Sequence, residues 1–189
     1  MKLNTIFILL FFPSLVFAQG NGLYEFIGKN GKHGFMEKTG KVVISTDYIR
    51  IDYPGFSEGL AFVSKKQASN GDFIWICIDT LGKKKFDIGA KCSPEESFSE
   101  GYAVINNWVS DKYWFINRAG EEVFDKKFGY ACEFTNGFAR VSDEKFGYSS
   151  SYFINTKGER AKYLPIGGSI FDNGISYYGR QLIDTLGNV

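Results

Sequence analysis

The sequence predicts an all-β protein built from tandem antiparallel hairpins. Three observations predict it. Aromatic residues make up 17% of the 189 residues, 22 residues are Gly, and two short signatures alternate along the chain. Aromatic side chains favour strands and glycine favours turns, so the pairing points to many short strands. The length suffices for one domain with a real core.

The chain opens with an expected secretory signal, residues 1–18. Lys2 supplies the positive start, Ile6 to Phe12 is an unbroken apolar run, and Val16-Phe17-Ala18 precedes a cut after Ala18. Pro13 interrupts the run, which is shorter than the ~20 apolar residues of a spanning helix. No Cys follows the cut to carry a lipid, and no later segment is apolar enough to span a bilayer. These features predict a secreted or periplasmic protein.

The whole chain carries 22 basic and 21 acidic residues. Loss of Lys2 with the signal would balance them. A chain without basic excess releases few counterions from phosphates, which argues against nucleic acid as a partner and against basic attraction to membranes.

The repeat follows the signal. Its first signature is an apolar run ending in Asp, Asn or Glu, with Gly three residues later: FMEKTGK at 35–41, CIDTLGK at 77–83, FINRAGE at 115–121, FINTKGE at 153–159 and LIDTLGN at 182–188. Asp or Asn suits the first position of a type I turn, because its side chain bonds backbone two residues on. Gly suits the αL residue that closes such a hairpin with a bulge. Glu37, Asp79, Asn117, Asn155 and Asp184 take the first place; Gly40, Gly82, Gly120, Gly158 and Gly187 take the other. Glu37 is the weakest match, since its longer side chain closes the turn less well.

The second signature is FSEGLA at 56–61, FSEGYA at 98–103, FTNGFA at 134–139 and FDNGIS at 171–176. It reads as a turn at Gly59, Gly101, Gly137 and Gly174, followed by a strand. The repeated Ala marks a tight spot against a neighbour; Ser176 replaces it in the last copy. Strands entering the first signature are apolar at both parities. Trp75 and Cys77 alternate with Ile74, Ile76 and Ile78, and Tyr113 and Phe115 with Trp114 and Ile116. Such strands are covered on both faces, as when each unit packs between neighbours.

The two signatures resemble the WG-repeat (KWG) family, whose unit joins a Trp-Gly-aromatic strand and Asp/Asn-x-x-Gly turn to a Phe-x-Glu-Gly-x-Ala strand. His33-Gly34-Phe35 to Lys41 and Phe56 to Val63 resemble one unit. The resemblance covers residues 30 to 188, read as units at about 30–66, 67–108, 109–144 and 145–178 with a partial unit at 179–189, inside one domain at 19–189. His33 stands where the family has Trp, and the Trp-Gly pair is missing from every copy. The resemblance implies exported bacterial β-repeat proteins with no shared catalytic residue. We expect an open twisted array of meanders with about three strands per unit; a small closed propeller is the alternative.

The residues offer little catalytic chemistry. His33 is the only histidine and sits beside a turn, so it reads as a structural substitution. Glu58 and Glu100 recur at one repeat position and read as turn or surface residues. Glu95, Glu96, Asp111 and Asp143 would serve a secreted hydrolase only if they converged in one cleft. Cys77, Cys92 and Cys132 show no metal-ligand spacing; they read as separate buried thiols, or as one disulfide with a free thiol. No cofactor or metal is expected. The aromatics outside repeat positions, Trp108, Tyr53, Tyr177 and Tyr178, either cap unit edges or stack on a partner. The expected function is a non-enzymatic binding module for a protein or glycan, with a purely structural spacer as a further reading.

Overall fold

The computed structural model describes residues 22–52, 54–67, 69, 71–145, 150–162, 164, 169, 171–178 and 181–188. The expected signal and Tyr53 lie outside the described residues, as does the side chain of Tyr178.

The strands form five small antiparallel sheets. The first joins β1 (Leu23–Ile27), β2 (His33–Glu37) and β3 (Val42–Tyr48). The second joins β4 (Arg50–Ile51), β5 (Leu60–Gln67), β6 (Phe73–Asp79) and β7 (Lys84–Asp87). The third holds β8 (Cys92–Ser99), β9 (Tyr102–Asn107) and β10 (Lys112–Asn117). The fourth holds β11 (Tyr130–Thr135), β12 (Phe138–Ser142) and β13 (Tyr152–Asn155), and the fifth β14 (Ile175–Tyr178) and β15 (Gln181–Asp184). The architecture is an all-β array of hairpin sheets, with no closed barrel among the described residues.

The second sheet has four strands rather than the expected three. Its extra strand, Lys84–Asp87, is short and mostly polar, so it leaves no apolar alternation in the sequence. Bridges from Ile116 to Glu122 and from Ile154 to Arg160 extend the third and fourth sheets in the same way.

The alternation of side chains across each strand builds the core in layers. On β5, Ala61 and Val63 join Phe35, Ile44 and Tyr48 of the first sheet. Leu60 and Phe62, pointing oppositely, join Phe98, Ala103 and Ile105 of the third. The pattern continues. Val104 and Phe115 face Phe134, Ala139 and Val141, and Phe153 faces Phe171 and Ile183. Each internal sheet is thus apolar on both faces because each face meets a different neighbour. Burial of each of the Val, Leu, Ile and Phe side chains among them is worth about 1.5–3 kcal/mol. The repeated alanines Ala61, Ala103 and Ala139 are essentially inaccessible, as a tight inter-sheet contact requires.

Two rows of turns run along the stack. In the first, the backbone N–H of Gly82 donates to the Asp79 carbonyl and the Asp79 N–H to the Lys83 carbonyl, at 2.8 and 3.0 Å. The Asp79 carboxylate accepts from Leu81 N and Lys83 N, both at 3.0 Å. Asn117, Asn155 and Asp184 repeat the arrangement. Glu37 makes no such bond to backbone; its carboxylate meets the Thr39 hydroxyl and the Lys41 ammonium instead.

In the second row, Ser57 and Leu60 exchange both backbone bonds at 2.9 Å around Glu58 and Gly59. Glu58 has φ +50° and Gly59 φ +79°. This is a two-residue hairpin with both central residues left-handed, the type I′ geometry. Glu100-Gly101, Asn136-Gly137 and Asn173-Gly174 take the same φ signs. The second signature is therefore a complete hairpin, where the sequence indicated only a turn leading into a strand.

This row also ties sheet to sheet. The Ser57 hydroxyl donates to the Phe98 carbonyl at 2.6 Å, and Ser99 repeats the bond to the Phe134 carbonyl at 2.7 Å. The Glu58 carboxylate accepts from Gly101 N at 3.1 Å, and Glu100 accepts from Gly137 N at 2.8 Å. Arg118 adds an ion pair to Glu58 at 3.1 Å.

Candidate functional site

The stretches that do not repeat place Trp108 over a trough between the second and third sheets. Asn107 ends β9 and folds the next residues back: its side-chain oxygen accepts from Val109 N and Ser110 N, both at 3.0 Å. Asp111, at φ +50°, completes the bend. The loop thereby holds Trp108 half-buried rather than extended into solvent.

The other wall comes from the hairpin of β5 and β6. Phe73 and Trp75 lie on β6 with ring centroids 6.0 Å apart, inclined at 60°. The Arg50 guanidinium covers the Phe73 ring at 5.1 Å. Two depressions, of about 470 and 590 Å³, share Asp72, Phe73 and Trp75. Trp108, Arg50 and Pro94 line the first; Lys91 and Gly89 line the second. Together they make one trough with an aromatic floor and charged rims. Such a lining can stack on a flat apolar face and hydrogen-bond polar groups at its edge.

The remaining candidates fall elsewhere. Tyr177 lies on the fifth sheet, directly across from Leu182 and away from Trp108's sheets. Tyr178 pairs with Gln181 on the same sheet. All nine turn glycines have φ between +76° and +87°.

The acidic residues do not form a single constellation. Glu96 meets the negative fields of Glu133 and Glu95. Partial burial and then those neighbours push its carboxyl above the ordinary range, and burial does the same to Glu95 and Glu133. Asp111 is held by Lys145 at 2.6 Å, and Asp143 by Lys126 at 2.7 Å. Hydrogen bonds from Lys126 keep the Asp143 carboxyl below its usual range.

The thiols are chemically quiet. Cys77, Cys92 and Cys132 are all free. Burial pushes the Cys77 thiol up to about 12 and raises the other two, which keeps them protonated and poorly nucleophilic. His33 contacts Glu25 on the neighbouring strand. Among the described residues no group of three or more His, Cys, Asp or Glu could hold a metal ion. No helix among them is long and apolar enough to cross a membrane.

Sequence reasoning singled out Trp108 but missed Phe73, Asp72 and Arg50. Phe73 and Arg50 belong to another sheet, and only their aromatic and charged character in a non-repeating stretch could have drawn attention to them.

A family model described as WG containing repeat matches residues 34–67 and 115–145. These two stretches span β2 to β5 and β10 to β12. No curated protein and no solved structure matches the chain.

Proposed function

We propose, from the match of the WG containing repeat model to residues 34–67 and 115–145, that the chain is an exported binding module whose ligand lies in the trough beneath Trp108. The family supplies a β-repeat scaffold and is not a known enzyme family. Export rests on the secretory signal expected at residues 1–18. The observation that carries the binding reading is the trough itself, where Trp108, Phe73 and Trp75 meet Arg50 and Asp72 across two sheets.

The ligand class that suits this lining is a glycan chain of the cell envelope or surroundings. A sugar ring offers a flat C–H face to an aromatic ring and hydroxyls to the guanidinium and carboxylate beside it. The open trough accommodates a chain running through it, where a closed pocket would hold only a terminal sugar.

Isothermal titration of residues 19–189 against soluble peptidoglycan fragments and envelope polysaccharides tests this. One of them binds, and Trp108→Ala weakens binding roughly tenfold or more, the loss of about 1.4 kcal/mol typical of a stacking anchor. Undiminished binding by Trp108→Ala removes the trough from the site. Absence of any glycan binding overturns the ligand class.

A further inference from the structure

Among the described residues, the first and the fifth sheet of the stack each turn an apolar face outward. On the fifth sheet, Ser176 and Ile183 turn inward, and Ile183 joins Phe153 and Phe171. Ile175, Tyr177 and Leu182 alternate with them and point outward, 43%, 66% and 49% exposed. Counted from their turns, these three hold the positions that Leu60, Phe62 and Cys77 hold on the second sheet. There the third sheet buries them. The fifth sheet thus presents an internal-type forward face with no sheet on it among the described residues.

The first sheet shows the opposite face. Phe35 and Ile44 point inward to the second sheet. Tyr24 and Met36 are cross-strand partners on the other face, and Val42 pairs with Met36. Tyr24 and Val42 are 54% and 52% exposed. Tyr24, Met36 and Lys38 line a shallow depression of about 300 Å³.

We propose that the protein associates head to tail with a second copy of itself, the fifth sheet of one chain resting on the first sheet of the next. Each internal layer is made from the forward face of one sheet and the backward face of its successor. The two ends are the unused halves of that same layer. Charged groups stand at both rims: Glu37 and Lys38 line the depression, and Asp172 and Asp184 sit opposite Ile175 on the fifth sheet, so Lys38 has carboxylates to meet across the contact.

The contact is weaker than an internal layer. Tyr24 occupies the position filled by Ala61, Ala103, Ala139 and Ser176, so the two chains cannot approach to the internal spacing. Association is therefore concentration-dependent. Because the two patches differ, the contact is heterologous, and it extends to a ring or an open filament rather than closing as a twofold dimer.

Sedimentation of residues 19–189 over a range of concentrations tests the proposal; all four core clusters fall within residues 23–183. Wild-type mass rises with concentration. Tyr24→Glu and Tyr177→Glu, both at exposed side chains, each sediment as monomers with unchanged circular dichroism. Mixed one to one, they form a heterodimer and nothing larger, since only one head and one tail remain intact. Wild type that stays monomeric at about 1 mM overturns the proposal, that concentration marking a contact worth only about 4 kcal/mol. So does association that both variants retain. If Tyr24→Glu associates like wild type while Tyr177→Glu does not, two fifth sheets meet face to face and the head-to-tail arrangement is wrong.

Discussion

The two rows of turns use glycine for different reasons. In the first row a Cβ on Gly120 would lie 2.5 Å from the Phe86 ring, and one on Gly158 2.6 Å from Phe124. Gly82 meets Ile44 at 3.3 Å in the same way. In the second row a Cβ on Gly101, Gly137 or Gly174 meets nothing within 4 Å. The side chains show the reverse preference. Asp79, Asn117 and Asn155 bond within their own turns, whereas Ser57, Glu58, Ser99 and Glu100 reach forward into the next sheet. So the first row joins sheets through apolar contact at the glycine and caps itself with its polar residue. The second row joins sheets through its polar residues and leaves its glycine open. Two motifs of similar regularity record two different inter-sheet contacts.

The largest test of that difference is Gly120→Ala beside Gly137→Ala. Both force a side chain into the left-handed region, at about 1–2 kcal/mol. Only Gly120→Ala also drives a methyl into Phe86, adding about 1–3 kcal/mol of overpacking. Urea denaturation should therefore rank Gly120→Ala well below Gly137→Ala. Equal losses would mean that Phe86 moves aside without cost and that the first-row glycine answers to φ alone.

A smaller effect separates Ser99 from Thr135, its counterpart in the next copy. Ser99→Ala leaves the Phe134 carbonyl without the hydroxyl that donates to it, a loss of about 1 kcal/mol. Among the described residues, no hydrogen bond links the side chains of Thr135 and Asn136 to the fourth turn, and Thr135→Ala should change stability by less than about 0.5 kcal/mol. The signature drifts from Ser-Glu to Thr-Asn where the forward bonds stop. Matching losses at Ser99 and Thr135 would separate that drift from the bonds.

How far the sequence discloses all this depends on the range of each interaction. The stacked architecture is legible because strands such as Phe73–Asp79 and Lys112–Asn117 are apolar at both parities, which only a two-sided neighbour explains. The first-row turns are legible because a carboxylate or carboxamide bonding two residues on is a local event. The left-handed Glu58 and Glu100 are not, since Glu does not favour that region; Asn136-Gly137 and Asn173-Gly174 are the copies that spell the hairpin. Ile44, Phe86 and Phe124 each stand four residues after a turn glycine. That spacing is visible, but its meaning needs the glycine of the following copy. The trough is the least legible feature. Trp108 marks one wall, while Phe73 and Arg50 reach it from a different sheet, through a juxtaposition that no local pattern encodes.

The smallest expected effect lies within the first row, between turns closed by Asp and turns closed by Asn. The Asp184 carboxylate accepts from the Asn188 side chain and from the backbone N–H groups of Asn188 and Leu186. These bonds, the Asn188 side chain foremost, hold its carboxyl below the ordinary aspartate range. A depressed folded value means that the turn's contribution is complete above the unfolded value of about 3.9 and disappears as pH falls through the folded one. Asn117 makes the equivalent bonds to Ala119 and Glu121 with a group that does not titrate. In an NMR pH titration, the Leu186 and Asn188 amide protons should shift with a midpoint below 3.9, and Asp184→Asn should flatten both curves. The Ala119 amide should stay flat through the same interval. A Leu186 midpoint at or above 3.9 would show that the carboxylate gains nothing from the turn, and the first row would then owe its closure to backbone and glycine alone.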